Sequence, residues 1–439
     1  MTAKLDQSLL DEISQLVANK TVWLAYSGGV DSHVLLHLLA KSDQIETIHA
    51  IHIDHGLQQD SAKWTQHCQE TALALNCQFH SVQVEVKDIA TLGMEAAART
   101  ARYQAFKDTL ATDDVFLTAQ HQQDQAETLL LQLLRGAGPK GLSAMATRSH
   151  QADLEIIRPL LAISKQAILT YAEQHQLKWI DDPSNSDTQW NRNYIRHTLW
   201  PDLIKRWPSA AKTISRSAEH CAEADELMTD LAQQDCLNLS IDCASNTLNI
   251  TDLLTLSTAR QRNLLKHYLE KSARPSPSTA ILHCIIDELC LAQQDAQPVV
   301  TWADIEVRRY QNILYFMTAL TPHDNSQVIA FNDLNNIELM ANKTLQWQQT
   351  SGQGISEAMI KSGLTLRFRQ GGETVKLQGQ EHHKTLKHLF QQWQIPPWQR
   401  DHIPLIYKDN QLISVMGYGV SEYCRLIDNE QAYLAVIKA

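Results

Sequence analysis

The run Thr21-Val22-Trp23-Leu24-Ala25-Tyr26 is β-branched, aromatic and uncharged, as a buried strand requires. It stops at Ser27-Gly28-Gly29-Val30-Asp31-Ser32, and Val34, Leu35, Leu36, Leu38 and Leu39 follow as an apolar run long enough for a buried helix. Strand, glycine turn and helix N-terminus together make an anion site. Unpaired N–H groups converge there, and the helix dipole adds roughly half a positive charge. Gly28 and Gly29 let the backbone turn and approach a phosphate, Ser27 and Ser32 add hydroxyls, and Asp31 suits a helix cap or a contact to a cation such as Mg²⁺. The bland alternative is a strand-to-helix turn with capping serines.

Neither GxxxxGK[ST] nor GxGxxG occurs at this turn, so the two commonest nucleotide loops are excluded. SGGVDS resembles the PP-loop of enzymes that split ATP into AMP and pyrophosphate. That resemblance implies a loop that holds the pyrophosphate end while AMP moves to a substrate oxygen.

A chain of 439 residues is too long for one core, and two or three domains are expected. Its net charge of −11 means that a nucleic-acid partner needs a local basic patch. Eight cysteines without a CxxC pair read as reduced thiols, neither a disulfide frame nor a zinc site. The N-terminal MTAKLDQSLLDEISQL reads as an amphipathic helix, not a signal peptide, and no apolar run reaches membrane-span length, so the expected location is cytoplasmic.

The first half alternates strand and helix: strands at 45–54, 79–84, 115–118 and 155–159, and helices at 61–75, 95–110, 124–134 and 164–175. This predicts an α/β, Rossmann-like parallel sheet covered on both faces, over residues 1–216. Ligands bind such sheets beyond the carboxyl ends of the strands, where SGGVDS, HIDHGL and TAQH all fall. Arg192, Arg196, Lys205, Arg206, Lys212 and Arg216 then give way to an acidic helix pattern from Glu219 to Asp235. That reversal predicts a domain end near 216, then a mostly helical middle domain over 217–322 with a hairpin at 299–317. Residues 323–363 read as a linker region with short strands, and 364–439 as a small α+β domain. The last carries a basic island with Arg367, Arg369, Lys384 and Lys387 beside histidines and tryptophans, a composition suited to RNA. Its alternative is a solvated face.

His52, Asp54 and His55 do not make a convincing metal set, because His55 lies past the strand and no further ligands cluster nearby; a nucleotide contact fits better. His121 in TAQH is a similar candidate. Asp124 and Glu127 stand at i and i+3 in a helix's first turn, so their carboxylates share a face at the sheet edge. The dipole alone would favour acids there.

In order along the chain, SGGVDS, HIDHGL, EAAARTARY, TAQHQQDQAETLLLQLLRGAGPKGL, RPLL, DPSN, RNYIR and RFRQGGE…KTLKHLFQQWQIPPWQRDHIPLIY resemble the tRNA(Ile)-lysidine synthetases. The likeness covers most of the chain and is weakest between about 220 and 360. Gln123 stands where that family commonly has a second acid, and Gln120 where many members have a histidine.

The resemblance implies a ligase that modifies the wobble cytidine of an isoleucine tRNA with a CAU anticodon. ATP adenylates the cytosine C2 oxygen, and the ε-amine of free L-lysine then displaces AMP. ATP and Mg²⁺ are the expected cofactors, and the tRNA, L-lysine and a second copy of the chain the expected partners. Under this reading Ser27 to Ser32 bind ATP, while Asp124, Glu127, Arg99 and Arg102 serve lysine binding or catalysis. Arg192, Arg196, Arg367, Arg369, Lys384 and Lys387 are tRNA-binding candidates. A cytidine thiolase would call for paired cysteines, and a non-catalytic RNA-binding protein would not need an intact loop.

Overall fold

A computed structural model describes residues 7–17, 20–45, 47–54, 61–87, 89–111, 113–151, 154–293, 296–320, 323–338, 344–350, 353–426 and 431–438; His55 lies outside them. The chain divides into two compact units, Met1–Leu231 and Ala232–Ala439.

The first unit runs α1 (Gln7–Leu16), β1 (Val22–Ala25), α2 (Val30–Leu39), β2 (Ile48–Asp54), α3 (Ser61–Ala74), β3 (Gln78–Gln83), α4 (Ile89–Leu92), α5 (Met94–Thr109), β4 (Val115–Leu117), α6 (Gln122–Leu134), α7 (Pro139–Leu142), β5 (Arg148–Gln151), β6 (Leu154–Ile157) and α8 (Lys165–Gln174). The sheet order is β3-β2-β1-β4-β6-β5. Every pairing is parallel except β5 with β6. The two-residue period of β1 sends Val22 and Leu24 into one core with Leu35, Leu39 and Ile168, and Trp23 into another with Tyr103, Phe106 and Ile156. Each fully buried Leu or Ile contributes about 1.5–3 kcal/mol, so the sheet is clamped from both faces. The edge strand β5, Arg-Ser-His-Gln, is not foreshadowed by the sequence; with no apolar alternation, only its pairing with β6 makes it a strand.

After α8, α9 (Asn191–Tyr194), the turn Ile195–Leu199 and α10 (Trp200–Arg206) form one helical segment whose middle is a π-helical turn. Pro201 has no N–H to donate to the carbonyl four residues back, which explains the wider local winding. The 29-residue helix α11 (Ala210–Asn238) has no glycine or proline and runs unbroken through Arg216. The charge reversal there marks its surface, and the division between units falls later, at Leu231 and Ala232.

In the second unit, β7 (Thr247–Asn249), α12 (Ile250–Leu254), α13 (Thr258–Lys271), α14 (Thr279–Cys284), β8 (Val299–Trp302), β9 (Ile305–Tyr310) and β10 (Ile313–Thr318) pack around Tyr268, Leu264 and Phe316. The hairpin lies in an antiparallel sheet of order β7-β10-β9-β8. Residues 323–363 contribute strands: Val328–Phe331 pairs with Leu364–Arg367, and Thr344–Thr350 pairs with Ala432–Lys438. Much of the stretch read as a linker is therefore sheet, with Phe331, Leu345 and Ile355 in the last core.

Candidate active site

The turn between β1 and α2 needs glycine at one position for its own geometry. Gly28 sits at φ +79°, and a Cβ there would come within 2.7 Å of Cys68 Sγ and 2.9 Å of Ile180 Cδ1. Gly29, the N-cap of α2, has ordinary φ and space for a side chain, so its smallness serves whatever approaches the loop. Ser32 Oγ donates to Gly29 O at 3.0 Å and accepts from Ser27 N at 3.3 Å, while Ser27 Oγ lies 3.1 Å away. The hydroxyls thus brace the loop, and the first-turn N–H groups of α2 remain the anion donors. Val30 opens that helix.

Asp31 does not cap α2. Lys165, the first residue of α8, donates Nζ to Asp31 Oδ1 at 2.6 Å. Lys165 was not singled out in the sequence, although it carried a signal. A lysine at a helix N-terminus opposes the dipole and needs a nearby anion.

His121 links the loop to the acid pair. Its Nδ1 accepts from the backbone N–H groups of Gln123 at 3.2 Å and Asp124 at 3.4 Å, which leaves the proton on Nε2. Nε2 faces Asp31 Oδ1 at 3.6 Å and Asp124 Oδ2 at 3.5 Å. Asp124 Oδ2 in turn accepts from His121 N at 3.0 Å, closing a capping box at the start of α6.

Asp124 and Glu127 share a face as expected, but both are already paired. Arg196 Nη2 reaches Asp124 Oδ1 at 2.6 Å and Glu127 Oε2 at 2.7 Å, and its Nε donates to Glu127 Oε1 at 2.8 Å. Arg192 reaches Asp124 Oδ1 at 3.1 Å and Glu127 Oε2 at 3.3 Å. Both arginines, expected on a tRNA surface, here neutralise the acids, and the segment around the π-helical turn carries both to α6. Glu127 is 0% exposed. Burial alone would raise the Asp124 carboxyl, but His121, Arg192 and Arg196 outweigh it and hold it down to about 2. Burial likewise opposes charge on Arg196, and Glu127 and Asp124 overcome it, so that guanidinium is held more firmly charged than usual. Gln123 Nε2 donates to Glu127 Oε1 at 3.0 Å. An acid at 123 could not make that bond while ionised, so the departure at this position strengthens the hold on Glu127.

The other candidates are placed differently. His52 is buried, and its Nδ1 donates to Tyr26 O at 3.0 Å across β1 and β2; burial keeps its pKa below the usual histidine value. It supports the loop from below. Asp54 ends β2 and is half-buried. Arg99 is exposed with its guanidinium 4.9 Å from the centre of the Tyr103 ring, and Arg102 is exposed on the same helix. Arg158 of the RPLL string, to which the sequence assigns no role, is buried and donates Nη1 to Ala146 O at 2.7 Å and Ser149 Oγ at 2.9 Å, pinning β5.

The C-terminal island separates into two kinds of cation. Arg367 lies over the Tyr407 ring at 4.8 Å and donates to Asp409 O at 2.8 Å, and Arg369 donates to Asp401 Oδ1 at 3.1 Å. Lys384 is half-buried with Nζ 3.2 Å from Gln392 Oε1, and Lys387 is exposed. No helix among the described residues is long and apolar enough to cross a membrane.

Comparison with known proteins agrees with this geometry. Residues 1–203 match the PP-loop domain family, 248–315 the TilS substrate binding domain and 364–436 the TilS substrate C-terminal domain. The chain is 41% identical to a tRNA(Ile)-lysidine synthase of Coxiella burnetii, over 95% of this chain and 93% of the relative. Identity is 38% to the enzyme of that name from Legionella pneumophila strain Paris (93% and 94% covered) and 36% to that of Yersinia pestis (99% and 97% covered). The PP-loop domain of residues 1–203 is accordingly an ATP-binding domain, and the chain belongs to the tRNA(Ile)-lysidine synthase family, ligases that form lysidine on tRNA(Ile).

Proposed function

We propose that the chain joins free L-lysine to the wobble cytidine of a CAU-anticodon tRNA(Ile), in the cytoplasm, and that Asp124 and Glu127 receive the lysine ammonium. The observation that carries this is the contact chain Lys165–Asp31–His121–Asp124, which ties the ATP loop to the acid pair. The C2 oxygen of cytosine attacks the α-phosphorus of ATP, AMP is attached to that oxygen, and pyrophosphate leaves. The ε-amine then attacks C2, and the C–O bond to AMP breaks. Before that attack the ammonium must lose a proton, and a carboxylate in contact with it is the natural acceptor.

The charges of the site balance: Lys165, Arg192 and Arg196 face Asp31, Asp124 and Glu127. A triphosphate entering at the loop competes for those guanidiniums, and drawing them away uncovers acceptors for the lysine. Asp31, about one-third exposed beside the loop, fits a hard cation and would hold Mg²⁺ together with the phosphates. The ion's chemistry there is to neutralise the departing pyrophosphate.

The test is lysine-dependent AMP release on a CAU-anticodon tRNA(Ile). Asp31→Ala should abolish ATP cleavage in a folded protein. Glu127→Gln should raise KM for lysine by at least tenfold while leaving tRNA adenylation largely intact. Unchanged lysine dependence in Glu127→Gln removes the pocket from this site. Lysine titrated calorimetrically should bind at least tenfold tighter with a non-hydrolysable ATP analogue present; equal affinity with and without it refutes the exchange of partners.

A further inference from the structure

Two thiols and an imidazole meet in the second unit. Cys236 stands in the last turn of α11, Cys243 in the loop after it and His267 in α13. Cys236 Sγ and Cys243 Sγ are 3.4 Å apart, and one ligating atom from each of the three residues lies within 4.8 Å of the others. Two sulfurs on one tetrahedral zinc, at about 2.3 Å each, stand about 3.8 Å apart, whereas a disulfide holds them at about 2.05 Å. The observed span is near the first and far from the second, and both cysteines are free.

The surroundings suit a cation whose charge the thiolates cancel. Cys236 and His267 are buried and Cys243 is half-buried. A divalent ion with two thiolates and a neutral imidazole is electroneutral, so the core gains no net charge. Fully buried Asp235, next in sequence to Cys236, is held by Arg260 through both oxygens and adds no further charge. Tyr268 donates its hydroxyl to Ser245 O at 2.5 Å, fixing the neighbour of His267 against the loop that carries Cys243. The spacing is too long for a CxxC reading, which is why the sequence suggested only reduced thiols.

We propose that Cys236, Cys243 and His267 form a site for one thiophilic divalent cation of the zinc type, with its fourth position open to water. Loading releases two thiol protons as two sulfur–metal bonds and one nitrogen–metal bond form. The ion would tie the end of α11 to α13, the second of which lies inside the segment matched to the TilS substrate binding domain.

The full chain, reduced and stripped with a chelator, is titrated with Co²⁺ and then Zn²⁺. The expected result is one equivalent of Co²⁺ with tetrahedral d–d bands and a thiolate charge-transfer band, displaced by Zn²⁺. Cys236→Ser and His267→Ala should each weaken Zn²⁺ binding at least tenfold. In the unaltered chain, Zn²⁺ should slow modification of Cys243 by a thiol reagent at least tenfold, a readout that needs no variant to fold. No charge-transfer band, the same band in a Cys236→Ser/Cys243→Ser variant, or unprotected thiols at saturating Zn²⁺ each overturn the site. So does a pair that closes to a disulfide under mild oxidant and shows no affinity for either metal.

Discussion

Arg196 at the acid pair and Arg367 in the C-terminal island use the same guanidinium in opposite ways. At the acid pair, Arg192 and Arg196 lie against carboxylates of which one is wholly buried, so their charge is spent on compensating acids inside the fold. In the island, Arg367 lies on a ring and donates to a backbone carbonyl, so its charge is bound into the fold through neutral groups, while Lys387 stays in solvent. A count of basic residues treats these as equal. Burial and partner decide which cations remain to meet a polyanion, and by that measure the island is smaller than its composition suggests.

The largest effect should come from breaking the buried set. Arg196→Ala leaves Glu127 in the core with Arg192 as its remaining cation, and should cost about 3 kcal/mol, measured by urea unfolding. Arg196→Met with Glu127→Gln should recover most of that loss while remaining inactive. A single variant that unfolds at the wild-type urea midpoint would mean that the pair adds nothing net. Acid offers a second route. Asp124 is held at about 2 in the folded protein against an ordinary value near 4, so its stabilisation is complete above pH 4. It is lost as pH falls from about 4 to 2, by about 2 kcal/mol, and Asp124→Asn should flatten that limb of the stability profile.

What the sequence made legible follows from what is local. The glycine turn, the flanking strand and helix, and the common face of Asp124 and Glu127 are short-range consequences of spacing, and the structure keeps them all. The parallel sheet was readable because buried strands are apolar runs, and β5 was not because its residues are polar and only pairing defines it. The partners of the acids were not readable as partners. Arg192 and Arg196 lie more than sixty positions from them, and their basic neighbours made a surface reading natural. Lys165 acts through a long-range contact that no spacing rule encodes, whereas Gln123 stands one helical turn before Glu127, a pairing that the i,i+4 spacing does allow.

The next effect is on tRNA binding, and it sharpens the island's side of the comparison. Lys387 is exposed, and Lys384 is anchored by a neutral amide at 3.2 Å. Replacing both with Glu should weaken tRNA binding and lower the log–log salt slope by about 1 for each phosphate that is no longer neutralised. Binding of ATP should be unchanged. An unaltered salt slope would reduce the lysines to a solvated face.

The smallest effect separates an arginine of the fold from an arginine that meets RNA. Arg367→Met keeps the length of the side chain along Tyr407 and removes the charge and the bond to Asp409 O. If the guanidinium serves the fold, the variant loses about 1–2 kcal/mol, from the stacking and one charge-assisted hydrogen bond. Its tRNA salt slope then stays at the wild-type value. If the guanidinium instead neutralises a phosphate, the slope falls by about 0.7 to 0.9 and stability hardly changes. The packing on Tyr407 predicts the first pattern. Fluorescence-detected unfolding and a tRNA titration at several salt concentrations distinguish the two on one preparation. A changed slope with unchanged stability would return Arg367 to the RNA-binding face and erase the difference between the island's arginines and its lysines.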